Sequence, residues 1–160
     1  MARGAIGGYA MPMESRALTE GEIAMCRTIF GDAIDYSTVR LVKGKWWPFQ
    51  PRNAAMAPNG NIYFHPVAGG WSEDFSKEAL TRQGFFIHEM THVWQAQRGG
   101  RLYLPLMRHP FCRYAYELRP GKPFYRYGLE QQAEIVRHRY LADRGVALAA
   151  VPPPDLLTFA

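Results

Sequence analysis

Two histidines and a glutamate stand in a spacing suited to metal-assisted hydrolysis. The stretch 85–97, FFIHEMTHVWQAQ, contains His88, Glu89 and His92 in the pattern HExxH. On an α-helix, residues four apart share one face, so His88 and His92 can present two imidazole nitrogens to one metal ion. Glu89 follows the first histidine and can act as general base on a water that the metal activates. The pattern therefore predicts a helix with two metal ligands and a base.

The residues around the pattern favour a helix. The pair Gly99-Gly100 is a helix stop. Apolar contacts come from Phe85, Phe86, Met90, Val93 and Trp94. The alternative is a buried helix with two incidental histidines. A third ligand decides between them, because a catalytic zinc site has three protein ligands and one open position.

A third histidine is a poor candidate for that ligand. The pattern HExxHxxGxxH is excluded, because Gln95 and Arg98 occupy the corresponding positions. Of the remaining histidines, His109 lies in a proline-flanked loop, and His138 lies on a second predicted helix. The third ligand is therefore expected to be acidic.

Glu130 and Glu134 are better placed. They stand four apart on the second predicted helix and share a face. One can bind the metal while the other holds the free ring nitrogen of a ligand histidine. The alternative is that both carboxylates face solvent and pair with Arg137 and Arg139.

Length and composition indicate one globular domain. The chain has 160 residues, of which 48% are hydrophobic and 14% aromatic, enough for a real core. We expect a flexible N-terminal arm over residues 1–18 and a single domain over residues 19–160. No apolar run is long enough to cross a membrane, and the N-terminus lacks a secretory signal. These features predict a cytoplasmic protein, with export by a signal-peptide-independent route left open.

Two other residue classes bear on partners. Cys26 and Cys112 have no metal-ligand spacing, and reduced buried thiols are favoured over a disulfide.

The net charge is +5, and basic residues concentrate late in the chain at Arg98, Arg101, Arg108, Arg113, Arg119, Lys122 and Arg126. A solvated basic face is favoured over a site for an anionic partner. No nucleic-acid-binding module is recognisable.

The remaining patterns predict an α+β fold with a short antiparallel sheet or hairpin, the HExxH helix and a second helix that carries the third ligand. Thr19 and Glu22 form a capping box for a helix that ends at Gly31. Strands are expected over 38–42, 53–57 and 62–65, with a loop over 44–51. A helix with Ser76 as its N-cap either stops near Thr81 or continues into the HExxH helix. A short helix is expected over 112–118, a helix over 129–144 and an extended tail from Val151.

HEMTH followed by a helix with EQQAE resembles the gluzincin branch of the zincin metallopeptidases. The resemblance implies that Glu130 is the metal ligand and that Glu134 orients a histidine. Glu134 stands where that group usually has Asp, so the two roles could be exchanged. The strings FFIHEMTHVWQ, YAYEL and GLEQQAEIVRHRYL are similar to small bacterial zincin-like proteins related to Vgr and Rhs elements of type VI secretion. This second resemblance covers residues 39–143 and implies a zincin-like fold and association with a secreted-effector system, without a substrate.

Together these patterns predict a zinc metallopeptidase. One Zn²⁺ is expected on His88, His92 and Glu130, with Glu89 as general base. A second donor is needed for the tetrahedral oxyanion, and Tyr116 and His138 are preferred among Tyr114, Tyr116, Tyr125, Tyr127, His138 and Tyr140. An extended peptide or protein substrate is expected to lie along the strand 62–65 by strand addition.

Two other functions stay open. One is an amidase on cell-wall peptides that uses the same zinc site. The other is a non-enzymatic adaptor of a type VI secretion apparatus with a structural zinc. Glu89 argues against the adaptor, because a structural zinc needs no general base and is usually closed by four ligands rich in Cys.

Overall fold

A computed structural model describes residues 13–52, 54–67, 69–100 and 113–159. Its regular elements are β1 (Glu14–Ala17), α1 (Glu20–Phe30), β2 (Arg40–Lys43), β3 (Ala55–Met56), β4 (Ile62–Phe64), α2 (Leu80–Gly99) and α3 (Leu129–Ala142). Short 3₁₀ turns cover Tyr36–Thr38, Phe75–Lys77, Phe124–Arg126 and Pro154–Leu156. The predicted α+β class is confirmed. Among these residues, no helix is long and apolar enough to cross a membrane.

Helix α1 begins where its capping box predicts. The Thr19 side chain accepts from the Glu22 backbone N–H at 3.0 Å, and the Glu22 carboxylate accepts from the Thr19 N–H at 2.9 Å. Two N–H groups that the helix leaves unpaired are thereby satisfied. At the other end, Gly31 adopts a positive φ of 56° and its N–H bonds to the carbonyl of Arg27. Within the helix, Cys26 is a free, buried thiol, whereas Cys112 lies outside the described residues.

The sheet is mixed, so the prediction of an antiparallel sheet is wrong in one respect. Its strand order is β1-β2-β4-β3. The predicted hairpin exists, because β3 and β4 pair antiparallel. However, β4 also pairs parallel with β2, with Leu41 opposite Ile62. The reason is burial: Ile62, Tyr63 and Phe64 are all buried, so this strand takes the centre and leaves the edge to the shorter β3.

Part of the segment predicted as a flexible arm, residues 1–18, is a strand of the sheet. Residues 14–17 pair with β2 as an antiparallel strand, and residues 1–12 lie outside the described residues. Arg16 holds this strand in place through a bidentate ion pair with Glu22 of α1, at 2.8 Å for both bonds. No local pattern in residues 14–17 indicates a strand, since the bonds that fix it come from distant residues.

Two helix predictions are wrong, one in its start and one in the existence of the helix. The 3₁₀ turn at 75–77 is capped by Asp74 and not by Ser76, whose N–H and hydroxyl both bond to the Asp74 carboxylate. Helix α2 then starts separately at Leu80. The short helix expected over 112–118 is absent from residues 113–118. There the Tyr127 hydroxyl donates to the Glu117 carbonyl and accepts from the Arg119 N–H, which fixes an irregular path.

Other boundaries differ by a few residues. The strand predicted over 38–42 begins at Arg40, because Asp35 caps a 3₁₀ turn immediately before it. Helix α3 ends at Ala142, two residues before the predicted end, and the tail that starts at Val151 contains a short 3₁₀ turn at Pro154–Leu156.

Helices α2 and α3 pack antiparallel and at close range. The contacts run in opposite order along the two helices: the Tyr140 hydroxyl donates to the Gln83 side chain at 2.6 Å at one end, and Gln95 donates to the Leu129 carbonyl at the other. A Cβ atom at Gly84 would lie 3.1–3.2 Å from Leu141, so this glycine permits the close approach. A stack of rings joins the sheet to α2, with Phe64, Phe75 and Phe86 at successive centroid distances of 5.5 and 4.7 Å.

Glu22 ties three parts of the fold together. Its carboxylate is fully buried, pairs with Arg16 of β1 and accepts from the Phe75 backbone N–H at 2.9 Å. Removing one partner of a buried ion pair leaves the other charge uncompensated.

We therefore expect Glu22→Ala to lower the free energy of unfolding by about 3–5 kcal/mol. The measurement is urea unfolding followed by circular dichroism. Glu20→Ala is the matched control, because Glu20 lies in the same helical turn and is exposed; its effect should stay below about 1 kcal/mol. Equal effects of the two substitutions would contradict this role for Glu22.

Candidate metal centre

Helix α2 brings the two histidines of the HExxH pattern together, with their rings edge to face at an interplanar angle of 77°. His88 and His92 are 7% and 0% exposed. Their Nε2 atoms are 3.2 Å apart, as expected for neighbours one helical turn apart. Both rings therefore point their Nε2 atoms toward one buried point.

Helix α3 supplies the third group. Glu130 is 1% exposed, and its Oε2 atom lies 3.2 Å from the Nε2 atoms of both His88 and His92. These residues form a buried group that could hold a metal ion. The structure thus brings together the three residues that the sequence predicts as ligands.

The hydrogen bonds on the far side of each ring orient the lone pairs. His88 Nδ1 faces Glu134 Oε1 at 2.7 Å, and His92 Nδ1 faces Gln95 Oε1 at 2.8 Å. A carboxylate and an amide oxygen only accept, so each Nδ1 carries a proton and each Nε2 faces inward, where it offers a lone pair to a cation once it is unprotonated. Two such lone pairs and the Glu130 carboxylate oxygen repel one another unless a proton or a cation lies between them. Two nitrogens and one oxygen also match the ligand set of a catalytic zinc site.

Glu134 occupies the position of an orienting carboxylate. Besides His88, it accepts from the Arg137 guanidinium at 3.2 and 3.3 Å. Burial raises the pKa of Glu134, but the bonds and charges of His88 and Arg137 outweigh this, and the net shift is downward. The carboxylate is therefore ionised and a strong acceptor for the His88 N–H.

The charges around His88 also act on its own pKa. Burial disfavours the imidazolium, but hydrogen bonds to Glu130 and Glu134 and the negative charge of Glu89 favour it more, and the pKa rises to about 9. The same environment that favours a proton at His88 favours a cation. The carboxylates are thus arranged for positive charge at this centre.

Gln95 and Gln132 are contributors that sequence reasoning missed. The Gln95 side chain donates to the Gln132 Oε1 at 3.0 Å, and Gln132 in turn donates to the Tyr127 carbonyl at 2.8 Å. This network fixes the amide so that its oxygen faces His92. The signal in the sequence is the spacing of His92 and Gln95, three apart on one helix face.

Tyr116 and His138 lie next to this centre and contact each other. The Tyr116 hydroxyl and His138 Nδ1 are 2.6 Å apart, and His138 Nε2 lies 3.6 Å from Glu134 Oε2. Burial and the charge of Glu134 raise the pKa of Tyr116 to about 12. Burial also lowers the pKa of His138, against the opposing charge of Glu134. Tyr116 therefore keeps its proton, and His138 is neutral.

The other predicted site residues fall in different places. Glu89 is 4% exposed and adjoins His88 in the chain. Tyr114, which is half exposed, stacks on the His88 ring at 6.1 Å between centroids. His109 lies outside the described residues. Of the described basic residues at 98–126, four are exposed and one is half-buried, as a solvated face requires: Arg98, Arg113, Arg119 and Arg126 are exposed, and Lys122 is half-buried. Arg101 and Arg108 lie outside the described residues.

The predicted substrate strand is wrong. Strand β4, at Ile62–Phe64, is hydrogen-bonded on both sides, by β2 and by β3. A strand paired on both sides cannot accept another. The edge on this side of the sheet is β3.

Comparison with known proteins identifies the family of this chain. No protein-family model matches it. It is similar to the type VI secretion system spike protein VgrG2b of Pseudomonas aeruginosa, with 49% identity over 132 residues, which cover 79% of this chain. A solved structure, the effector domain of Pseudomonas aeruginosa VgrG2b, matches with a TM-score of 0.71 and 47% identity over 81% of this chain and 75% of that chain. The chain belongs to the VgrG2b effector-domain family.

This membership concerns a domain and not a whole spike protein. The chain matches 13% of the length of the curated spike protein, but three quarters of the solved effector domain. The match includes most of the described fold. The likeness to the VgrG2b effector domain therefore concerns the α+β architecture. It does not show that this chain binds a metal or has an activity.

The two acidic residues of α3 should differ sharply in metal binding. Glu130→Ala removes an oxygen that faces both histidines, so we expect bound zinc to fall from about one ion per chain to near zero. Glu134→Ala removes only an orienting bond and should weaken affinity about 10- to 100-fold. Zinc content after dialysis against a competing chelator, measured by mass spectrometry, separates the two.

The control is Glu117→Ala, because Glu117 is an exposed carboxylate on the segment between the two helices. Its zinc content should equal that of the unaltered chain. A greater loss from Glu134→Ala than from Glu130→Ala would exchange the two roles.

Proposed function

We propose that this protein is a zinc-dependent metallopeptidase that acts as an effector domain of a type VI secretion system. The enzymatic proposal is carried by one observation: the side chains of His88, His92 and Glu130 converge in the interior. Glu89 follows the first of these histidines in the chain and is also buried. A structural zinc site has no use for that glutamate and is usually closed by a fourth protein ligand.

His88, His92 and Glu130 would hold the zinc ion. Held there, Zn²⁺ supplies Lewis-acid chemistry, which lowers the pKa of a water toward neutrality and polarises a peptide carbonyl. The orientation of the ligands comes from Glu134 and Gln95, which keep the ring protons on the Nδ1 atoms. Binding of the ion thus needs no rotation of either ring, only the loss of any proton held on the Nε2 atoms.

Glu89 is the proposed proton carrier. Its carboxylate takes a proton from the attacking water and delivers it to the nitrogen of the leaving amine. Burial of Glu89 at 4% exposure keeps bulk water from competing for that proton. The peptide bond is cleaved as water adds across it, and Glu89 returns to its ionised state.

Tyr116 and His138 are the proposed pair that stabilises the oxyanion: a proton on His138 Nδ1, donated to the Tyr116 hydroxyl, leaves the hydroxyl proton free for the oxyanion. The Tyr116 hydroxyl retains its proton because its pKa is raised to about 12, and its contact with His138 holds the pair in one geometry. A preoriented donor stabilises the developing negative charge without reorganisation. Glu134 contacts both His88 and His138, which couples the donor pair to the metal ligands.

The proposed substrate is a peptide or protein in an extended conformation. Strand β3, Ala55–Met56, lies at the end of the sheet order, where an extended substrate would add as a further strand. This replaces the strand β4 that the sequence suggested.

The secretion assignment comes from the family. A relative is named as a type VI secretion spike protein, and the solved relative is its effector domain. By analogy, proteins of the secretion apparatus are the proposed partners and route of export for this chain.

Glu89→Gln tests the enzymatic proposal. The amide cannot accept the proton, so cleavage of a mixed peptide library should fall by about 10²–10⁴-fold while zinc content stays unchanged. Cleavage is followed by mass spectrometry with and without a chelator, and Glu117→Gln is the control for an exposed carboxylate-to-amide change. Full activity of Glu89→Gln removes it as the base. Cleavage that survives the chelator refutes the metal mechanism, and release of cell-wall peptides in place of library cleavage identifies an amidase.

A further inference from the structure

An aromatic loop at residues 45–52 is unlike the rest of the surface. Trp46, Trp47 and Phe49 are 42%, 46% and 77% exposed. They lie within four consecutive positions that also include Pro48. Single exposed apolar residues are common on proteins, but a cluster of large rings on one loop marks a contact surface.

The loop is held in shape by a buried side chain. Gln50 is 4% exposed. Its Oε1 accepts from the Trp46 N–H at 2.8 Å, and its Nε2 donates to the carbonyls of Ala54 and Tyr63, both at 3.0 Å. The Trp46 ring packs on Tyr63 at 5.2 Å, and Trp47 packs edge-on against Phe49 at 5.4 Å. The rings are therefore displayed by a formed structure, so little conformational entropy is lost when they bind a partner.

The charged residues of the loop itself, Lys45 and Arg52, are both basic. Between Asp35 and Glu73 the sequence contains no Asp or Glu. Lys45 and Arg52, at the two ends of the loop, are both exposed. Lys43 just before the loop pairs with Glu14 at 3.4 Å, so the positive charge of the loop comes from Lys45 and Arg52. This arrangement is complementary to an anionic surface.

We propose that the aromatic loop docks onto an anionic phospholipid bilayer. Trp46, Trp47 and Phe49 enter the interfacial region, where amphipathic and aromatic rings are favoured. Lys45 and Arg52 contact the headgroup phosphates. A patch of four residues is small beside the roughly 800 Å² per partner of a stable protein interface, whereas a bilayer accepts single inserted side chains. Nothing in this proposal depends on the metal centre or on hydrolysis.

The test is binding of the full chain to vesicles by flotation and by the shift of tryptophan emission. Vesicles of phosphatidylcholine with phosphatidylglycerol should bind the protein, and vesicles of phosphatidylcholine alone should bind it more weakly. The double variant Trp47→Ser with Phe49→Ser should partition about tenfold more weakly or worse. Lys45→Gln with Arg52→Gln should weaken binding to the anionic vesicles by about fivefold per charge and leave binding to neutral vesicles unchanged.

Val151→Ser is the control, because Val151 is a 46% exposed apolar residue elsewhere on the chain. It should bind vesicles like the unaltered protein. All variants are compared by circular dichroism, and the altered side chains are exposed, so the fold should be retained. If the protein binds neither the anionic nor the neutral vesicles, the proposal is overturned. If the serine double variant binds as the unaltered protein does, adsorption is purely electrostatic and the proposal is overturned. It is also overturned if the protein does not bind vesicles and instead self-associates in ultracentrifugation through Trp47 and Phe49.

Discussion

Three acceptor atoms that face one another in the interior set the central constraint of this structure. The Nε2 atoms of His88 and His92 and the Oε2 atom of Glu130 each lie 3.2 Å from the other two. Such an arrangement is unfavourable without positive charge among the atoms. Helices α2 and α3 must nevertheless pack closely enough to create it, and Gly84 permits that approach by leaving room for Leu141.

The rest of the fold maintains this geometry. Glu134 and Gln95 hold the outer nitrogens of the two rings, and the stack of Phe64, Phe75 and Phe86 joins α2 to the sheet. On the far side, Glu22 connects β1, α1 and the chain before α2 through buried bonds. A rigid support of this kind is what a preorganised site requires, since ligand atoms displaced by an ångström no longer converge.

The metal-ligating group was predictable because its information is local. HExxH places His88 and His92 on one helix face by helical periodicity alone, and the spacing of Glu130 and Glu134 gives two distinct roles on a second helix. The capping box at Thr19 and the hairpin turn before Ile62 are local signals too. The predictions that were wrong concern features that depend on distant partners. Strand β1 is fixed by the bond between Arg16 and Glu22. Strand β4 lies inside the sheet because its three residues are all buried. Gln95 was missed as an orienting group because its amide is positioned by Gln132 from another helix.

The central claim is that His88, His92 and Glu130 bind one zinc ion. The most direct measurement is anomalous diffraction at the zinc absorption edge from crystals of the zinc-loaded protein. The account predicts a single peak bonded to His88 Nε2, His92 Nε2 and a Glu130 carboxylate oxygen, at about 2.0–2.2 Å. A peak at any other set of residues, or none in the presence of excess zinc, would contradict it.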